Sequence, residues 1–175
     1  MHTVLEQMRT RRSTRSFSGQ AVPQEILDQI IEAGTYAASG MNRQQTIIIQ
    51  VTDRAMRDEI SRMNCAIGGW KEGFDPFYGA PAMLIVLARK DCPTGVYDGS
   101  LVMGNLMLAA HALGVASCWI HRAREEFETA WGRELLRSLG VEDEYVGIGH
   151  CALGYATDAL PEPPARRPHR VFRIG

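Results

Sequence analysis

The hydrophobic pattern of the chain predicts an α/β sandwich, one sheet covered by helices on both faces. Three observations carry that prediction. Runs of β-branched or apolar residues recur at 46–51, 83–88, 116–121 and 145–155, and each reads as a buried strand. Segments with helical spacing of apolar residues lie before and between them. One of these, 98–113, is apolar nearly all round, as suits a helix buried in a core or in a subunit interface. Chain order alone leaves the sheet parallel or antiparallel.

Taken in order, Val4, Leu5 and Met8 predict a short helix from Thr3 to about Thr10. A basic, hydroxyl-rich stretch follows, Arg11-Arg12-Ser13-Thr14-Arg15-Ser16-Phe17. Pro23 suits the first position of a second helix, with Ile26, Leu27, Ile30 and Ile31 on its buried face, running to about Ala38. Thr46–Val51 is the first strand, and Asp53 then caps a helix reaching about Met63. Residues 65–80, rich in glycine and aromatics, form a loop or a broken helix. Met83–Ala88 is the second strand, and the apolar helix from about Asp98 to Leu113 ends at Gly114. Ala116–His121 is the third strand, Glu125–Leu139 a helix closed by Gly140, and Tyr145–Tyr155 a glycine-containing fourth strand. Residues 159–175 carry Pro161, Pro163, Pro164 and Pro168 and form an extended tail.

Length and composition bound the function. The 175 residues fit one domain, 1–175, with no internal repeat or low-complexity tract. A net charge of −1 excludes nucleic-acid binding through bulk electrostatics. Lys71 and Lys90 are the only lysines; the arginine bias suits phosphate binding, and a GC-rich genome produces the same bias. No apolar run approaches the roughly 18 residues of a membrane helix, and the first residues lack the apolar core of a signal peptide. Cys65, Cys92, Cys118 and Cys151 are scattered; they read as reduced residues of a cytoplasmic protein and form neither a disulfide frame nor a zinc site.

Two arginine clusters stand at opposite ends of the chain, Arg9, Arg11, Arg12 and Arg15, then Arg166, Arg167, Arg170 and Arg173. Brought together they make a phosphate pocket, each charge-assisted hydrogen bond contributing about 1.5–3 kcal/mol. Left apart they are solvated surface charge. Ser13 adds a hydroxyl donor among the first cluster. Ser39, Gly40, Asn42 and Gln44 lie between a helix and a strand, where Gly40 admits close backbone approach; the same composition also makes plain turns. No dinucleotide-binding or P-loop glycine pattern and no nucleophile elbow occurs. His111, His121 and His150 lack metal-ligand spacing and read as packed or hydrogen-bonded side chains. No metal site and no catalytic side chain is expected, the pattern of an enzyme whose cofactor carries the chemistry.

These segments resemble the FMN-dependent nitroreductase family. Arg11–Phe17 is similar to its RRSxRxF opening and Ala38–Gln44 to its PSxxNxQPW loop. Asp75-Pro76-Phe77-Tyr78-Gly79-Ala80-Pro81 before Met83–Ala88, Asn105–Gly114 before Ser117–Ile120, and Ala152–Tyr155 followed by Arg166-Arg167-Pro168 complete the series, in family order. Gln45-Thr46 stands where the family has Pro-Trp, which alters the base of the flavin pocket. The chain is also shorter than many members, some of which cover the substrate site with a helical excursion.

The resemblance implies an α+β fold, a three-layer α/β/α sandwich with a central, mainly antiparallel sheet. It implies an obligate homodimer with FMN at the interface and the tail packed on the partner subunit. Arg11 and Ser13 would hold the phosphate and ribityl chain, flanked by Arg12, with Arg15 near the pyrimidine edge. Ser39, Gly40 and Asn42 would come from the other subunit. Backbone of Trp119, Ile120 and His121 would approach flavin N5 and O4, and Arg166 and Arg167 would complete the phosphate site. The implied activity is ping-pong hydride transfer from NADH or NADPH to a small-molecule acceptor, a nitro compound or quinone. Trp70, Phe74, Phe77 and Tyr78 are either lid aromatics or core. Rival readings are a specialised flavin reductase (dehalogenation or activated-alkene reduction), a non-catalytic flavin-binding protein, and an interaction module whose basic tail meets nucleic acid.

Overall fold

The structure is a computed structural model and describes residues 4–175. Its elements are α1 (Val4–Thr10), α2 (Gln24–Thr35), a 3₁₀ turn (Gly40–Asn42), β1 (Thr46–Val51), α3 (Arg54–Gly68), β2 (Ala82–Arg89), α4 (Gly95–Ala112), β3 (Ala116–Ile120), α5 (Ala123–Phe127), α6 (Ala130–Ser138) and β4 (Tyr145–Gly154). The four strands form one sheet in the order β1-β2-β4-β3, every neighbouring pair antiparallel. The question that chain order left open is thereby answered.

The two central strands explain the layering. In β2, Leu84 and Val86 enter one core with Leu27 and Ile30 of α2 and Met103 and Leu106 of α4. Met83, Ile85 and Leu87, on the opposite face, join Ile60 of α3, Phe127 of α5 and Leu136 of α6. A strand buried on both faces reads as a continuous apolar run without alternation, as Ala82–Ala88 does. Each such Leu, Ile or Val contributes about 1.5–3 kcal/mol by its burial. In β4 the register to β2 skips Ile148, because Val86 lies opposite Gly149 and Leu87 opposite Gly147. This bulge turns Val146 and Ile148 to the same side as Cys151 and Leu153.

Several boundaries differ from the sequence reading. Pro23 precedes α2 as its N-cap, and the helix stops at Thr35, short of Ala38. Asp53 does cap α3, its carboxylate accepting the Met56 N–H at 2.8 Å. The helix runs past Met63 to Gly68, because Asn64 and Cys65 are buried on its inner face, and it ends on the left-handed Gly69. α4 starts at Gly95, a turn earlier than the apolar pattern. The single helix expected over 125–139 is two: Thr129 adopts extended backbone and its hydroxyl accepts the Gly132 N–H at 3.3 Å, so a new helix starts there. Beyond Ala156 the chain is exposed and contains no helix or strand among the described residues. Among the described residues no helix is long and apolar enough to cross a membrane.

β4 presses closely on α5. A Cβ on Gly147 would lie 2.2 Å from both the carbonyl carbon and the oxygen of Ala123, which are backbone atoms with little room to move. Gly147→Ala is therefore expected to destabilise the protein by about 1–3 kcal/mol, read from its urea unfolding midpoint. An unchanged midpoint would contradict this close packing.

Candidate functional site

The basic arm 11–18 is stitched to the outer edge of the sheet. Ser13 bridges Ser117 of β3 in parallel sense, and Thr14 N–H donates to the Ser117 carbonyl at 3.0 Å. Farther on, Phe17 N–H reaches the Tyr78 carbonyl and pairs with Ala156, while the Ser16 and Thr157 hydroxyls meet at 2.5 Å. Phe17 is buried and anchors the arm in the core.

This anchoring leaves donors in excess. One Arg12 nitrogen serves the carbonyls of Arg9 and Arg11, at 2.8 and 2.6 Å. Nη1 of Arg11, Nε and Nη2 of Arg12, and the hydroxyls of Thr14 and Ser117 are buried without a hydrogen-bond partner. Neither Arg11 nor Arg12 takes part in an ion pair among the described residues. A buried polar group left unsatisfied costs about 1–3 kcal/mol, more when charged, so this cluster calls for an anion that the chain itself does not supply. Beneath it lie two thiols. Burial pushes the Cys118 thiol upward against the opposing influence of Arg15, Ser13 and Arg11, and it pushes Cys151 up to about 12. Both stay protonated at neutral pH and serve as packing, not as nucleophiles. Cys65 and Cys92 are also free and buried.

The second segment, Ser39–Gln44, is a strained turn. Met41, Asn42 and Gln44 all have φ near +54, in the left-handed region, although none is glycine. The turn is held by Gln44 N–H donating to Ser39 Oγ at 3.0 Å and by Gly40 N–H donating to Asp98 Oδ1 at 3.0 Å. Asp98 stands in the first turn of α4, whereas the basic arm lies by its last turn, where Thr10 Oγ1 meets His111 Nε2 at 2.9 Å. At about 1.5 Å per helical residue, those two anchor points are roughly 20 Å apart. Within one chain the two segments stand at opposite ends of α4.

Trp119, Ile120 and His121 continue β3 past the last contact of the arm. Strand alternation turns the Trp119 N–H and C=O to the same free edge as those of Ser117. The corner after them is fixed from below. Asn64 Nδ2 donates to the His121 carbonyl and to Glu126 Oε1, both at 2.8 Å. Glu126 Oε2 lies 2.7 Å from His150 Nε2, with both side chains fully buried and the imidazole edge-on to Phe77. Arg122 then turns the chain at φ 85. His121 itself is exposed, so of the three noted histidines His150 is the one deep in the core.

Arg166 and Arg167 stand apart. With His169, Arg170 and Val171 they line a hollow made by the tail alone, and no hydrogen bond or ion pair joins them to Arg11 or Arg12 among the described residues. The tail arginines are exposed and line that hollow with no residue of the first cluster. A cleft of about 800 Å³ lies between Lys90, Phe127, Arg137 and Tyr145 and contains none of these residues. Of the four aromatics, Phe77 is fully buried core, while Trp70, Phe74 and Tyr78 form a partly exposed row with ring centroids 5.5 and 6.0 Å apart. The sequence assigned no role to Asp98, Asn64 or Asp75, although Asp98 opened the expected apolar helix and Asp75 the segment before Met83–Ala88. Asp98 was detectable as a lone carboxylate in an apolar helix; Asn64 gave no signal.

A four-stranded antiparallel sheet between two helical layers, with an arginine–serine arm on its edge strand, makes this a three-layer α+β protein. The chain belongs to the nitroreductase family, whose model matches residues 8–155. A putative NADH dehydrogenase/NAD(P)H nitroreductase of Archaeoglobus fulgidus is 30% identical over 166 residues, covering 90% of this chain and 88% of that protein. One of the same description from Methanothermobacter thermautotrophicus is 30% identical over 120 residues, covering 66% of this chain and 59% of that protein's length. Among solved structures, a nitroreductase with bound FMN from Bacteroides fragilis superposes with a TM-score of 0.90 at 28% identity, over 100% of both chains.

The loop that carries the aromatic row depends on Asp75. Its carboxylate accepts from Arg57, from Ser61 at 2.7 Å, and from the backbone N–H of Phe77 and Gly79 at 3.0 and 2.7 Å. Burial works to raise the Asp75 pKa, but these hydrogen bonds outweigh it and hold the group below its ordinary value. A carboxyl depressed in the folded state stabilises above its unfolded pKa of about 3.9, and that contribution fades as pH falls toward the folded value. Asp75→Asn is expected to lower stability by about 2 kcal/mol at neutral pH, with the gap from wild type closing below about pH 4 in urea unfolding. A gap independent of pH would contradict this role.

Proposed function

We propose that the chain binds FMN at a two-fold interface between copies of itself and works as an NAD(P)H-dependent oxidoreductase of small oxidised acceptors, such as nitro compounds or quinones. The observation that carries the reading is the excess of buried guanidinium and hydroxyl donors at the β3 edge. The FMN bound in the Bacteroides fragilis relative and the NAD(P)H nitroreductase names of the two archaeal relatives support the choice of cofactor and donor.

Arg11 and Ser13, flanked by Arg12, would hold the phosphate and ribityl chain, and Arg15 would bring positive charge to the pyrimidine edge. Backbone of Trp119, Ile120 and His121 would face the isoalloxazine, kept in line by the Asn64 bond to the His121 carbonyl. Ser39, Gly40 and Asn42 would come from the second copy, because within one chain their loop sits at the far end of α4. Arg166 and Arg167 would reach the phosphate from a tail lying on the second copy. The exposed Tyr97 and Leu101 of α4, Val4, Leu5 and Met8 of α1, and Val171, Phe172 and Ile174 of the tail supply apolar surface for that association. Bound FMN would supply the redox chemistry, accepting two electrons as hydride from NADH or NADPH and delivering them to the acceptor in a separate, ping-pong step. The protonated, buried thiols of Cys118 and Cys151 contribute no nucleophile. Four free cysteines fit a reducing cytoplasm.

Removing one charge-assisted phosphate contact costs about 1.5–3 kcal/mol, or roughly tenfold to a hundredfold in affinity. Arg11→Ala is expected to weaken FMN binding by that factor, measured by quenching of flavin fluorescence on titrating apoprotein. Unchanged affinity would remove the arm from the site.

A further inference from the structure

We propose that Asp98 is a positioning residue: through Gly40 and Thr94 it fixes the left-handed Ser39–Gln44 turn, and with it the face this loop offers to FMN. The inference rests on the reading above for the loop's contact with FMN, while its geometry stands on the single chain.

Asp98 is the one acidic side chain of α4 and is only 4% exposed. Its two oxygens are divided between the loop and the helix start. Oδ1 accepts the Gly40 N–H at 3.0 Å, and Oδ2 accepts the Thr94 hydroxyl at 2.9 Å. Cys92 Sγ lies 3.9 Å from Oδ2 as a weak further donor. Thr94 in turn abuts Gly40 closely, since a Cβ on Gly40 would fall 2.4 Å from Thr94 Oγ1.

This contact falls where the backbone most needs support. Left-handed geometry at a residue other than glycine costs of order 1 kcal/mol or more, and Met41, Asn42 and Gln44 all bear it within four positions. Such a conformation persists only when its surroundings over-determine it. Within the turn, the Gln44 N–H to Ser39 Oγ bond and the Gln44 Nε2 to Asn42 Oδ1 bond close the loop on itself. Asp98 is the side chain outside the loop that holds its backbone to the body of the protein. A hollow of about 300 Å³ beneath the loop, lined by Ser39, Gln44, Asp98 and Val102, leaves room for the turn to relax if that hold is lost.

The test compares Asp98→Ala, Asp98→Asn, Thr94→Val and Asn42→Ala with wild type in two measurements. One is FMN titration of apoprotein by fluorescence quenching. The other is tryptic cleavage of apoprotein after the exposed Arg43, mapped by mass spectrometry and independent of FMN. Asp98→Ala is expected to weaken FMN about tenfold and to speed cleavage at Arg43 several-fold over other sites, the scale of one lost hydrogen bond to a charged group. Asp98→Asn keeps an acceptor for the Gly40 N–H and is expected to restore affinity to within about threefold of wild type. Thr94→Val is expected to fall between them, and it carries the test if Asp98→Ala does not fold. If Asn42→Ala weakens FMN while the Asp98 and Thr94 variants bind it normally and resist cleavage, the proposal is wrong and the FMN reading survives. If Asn42→Ala and Asp98→Ala both bind FMN as wild type does, the loop lies outside the site and the proposal falls while FMN binding stands; if wild type itself takes up no FMN, the reading above falls. Loss of FMN in Asp98→Ala without faster cleavage at Arg43, and without rescue by Asn, would also overturn it.

Discussion

Burial of the sheet on both faces governs where everything else in this protein can go. β2 is sealed from Ala82 to Ala88, and β4 from Gly147 to Gly154. Neither strand has a face left for a ligand, and their residues admit little beyond hydrocarbon. Polar function is therefore pushed outward, to the free edge of β3 and to the two ends of α4. The basic arm occupies the first position and the Ser39–Gln44 turn the second. The exception is the Asn64–Glu126–His150 group, a buried polar set between α3, α5 and β4. It reaches the functional edge through the His121 carbonyl, so even the interior polarity serves the end of β3.

The electrostatics follow the same division. Acidic partners go to structural arginines: Arg57 to Asp75 and Asp58, Arg89 to Asp91 and Asp143, Arg122 to Glu125. Arg11 and Arg12 receive none. An overall charge near zero thus conceals a local surplus of cation, held at the sheet rim and backed by two neutral thiols. The arm and the Ser39–Gln44 turn stand roughly 20 Å apart along α4.

Much of this was legible in the residues. Continuous apolar runs matched the strands to within a residue or two: β2 is buried on both faces, and the half-buried β1 is carried by its β-branched Thr46–Ile49 run. The Asp53 cap was visible because a side-chain acceptor before an apolar-periodic segment has one common structural use. The split of α5 from α6 was hidden, since Thr129 and Gly132 are unremarkable inside a helical pattern until the fold-back against Phe127 is seen. The antiparallel sense of the sheet was not carried by local pattern at all; it came through the family resemblance. Of the site, the arm and the loop were recognisable from their motifs, but their supports were not. Asp98, Asn64 and Asp75 act through tertiary contacts to backbone groups distant in sequence, and no local spacing records such contacts.

We propose that this rim holds FMN in redox-competent form. Its most direct test is the visible absorption spectrum of the purified protein, recorded before and after FMN is added and again after NADH or NADPH under anaerobic conditions. The account predicts protein-bound flavin bands, retained through gel filtration and bleached by at least one of the two nucleotides. A colourless protein that takes up no FMN would contradict it, leaving the donors of Arg11 and Arg12 to some other anion.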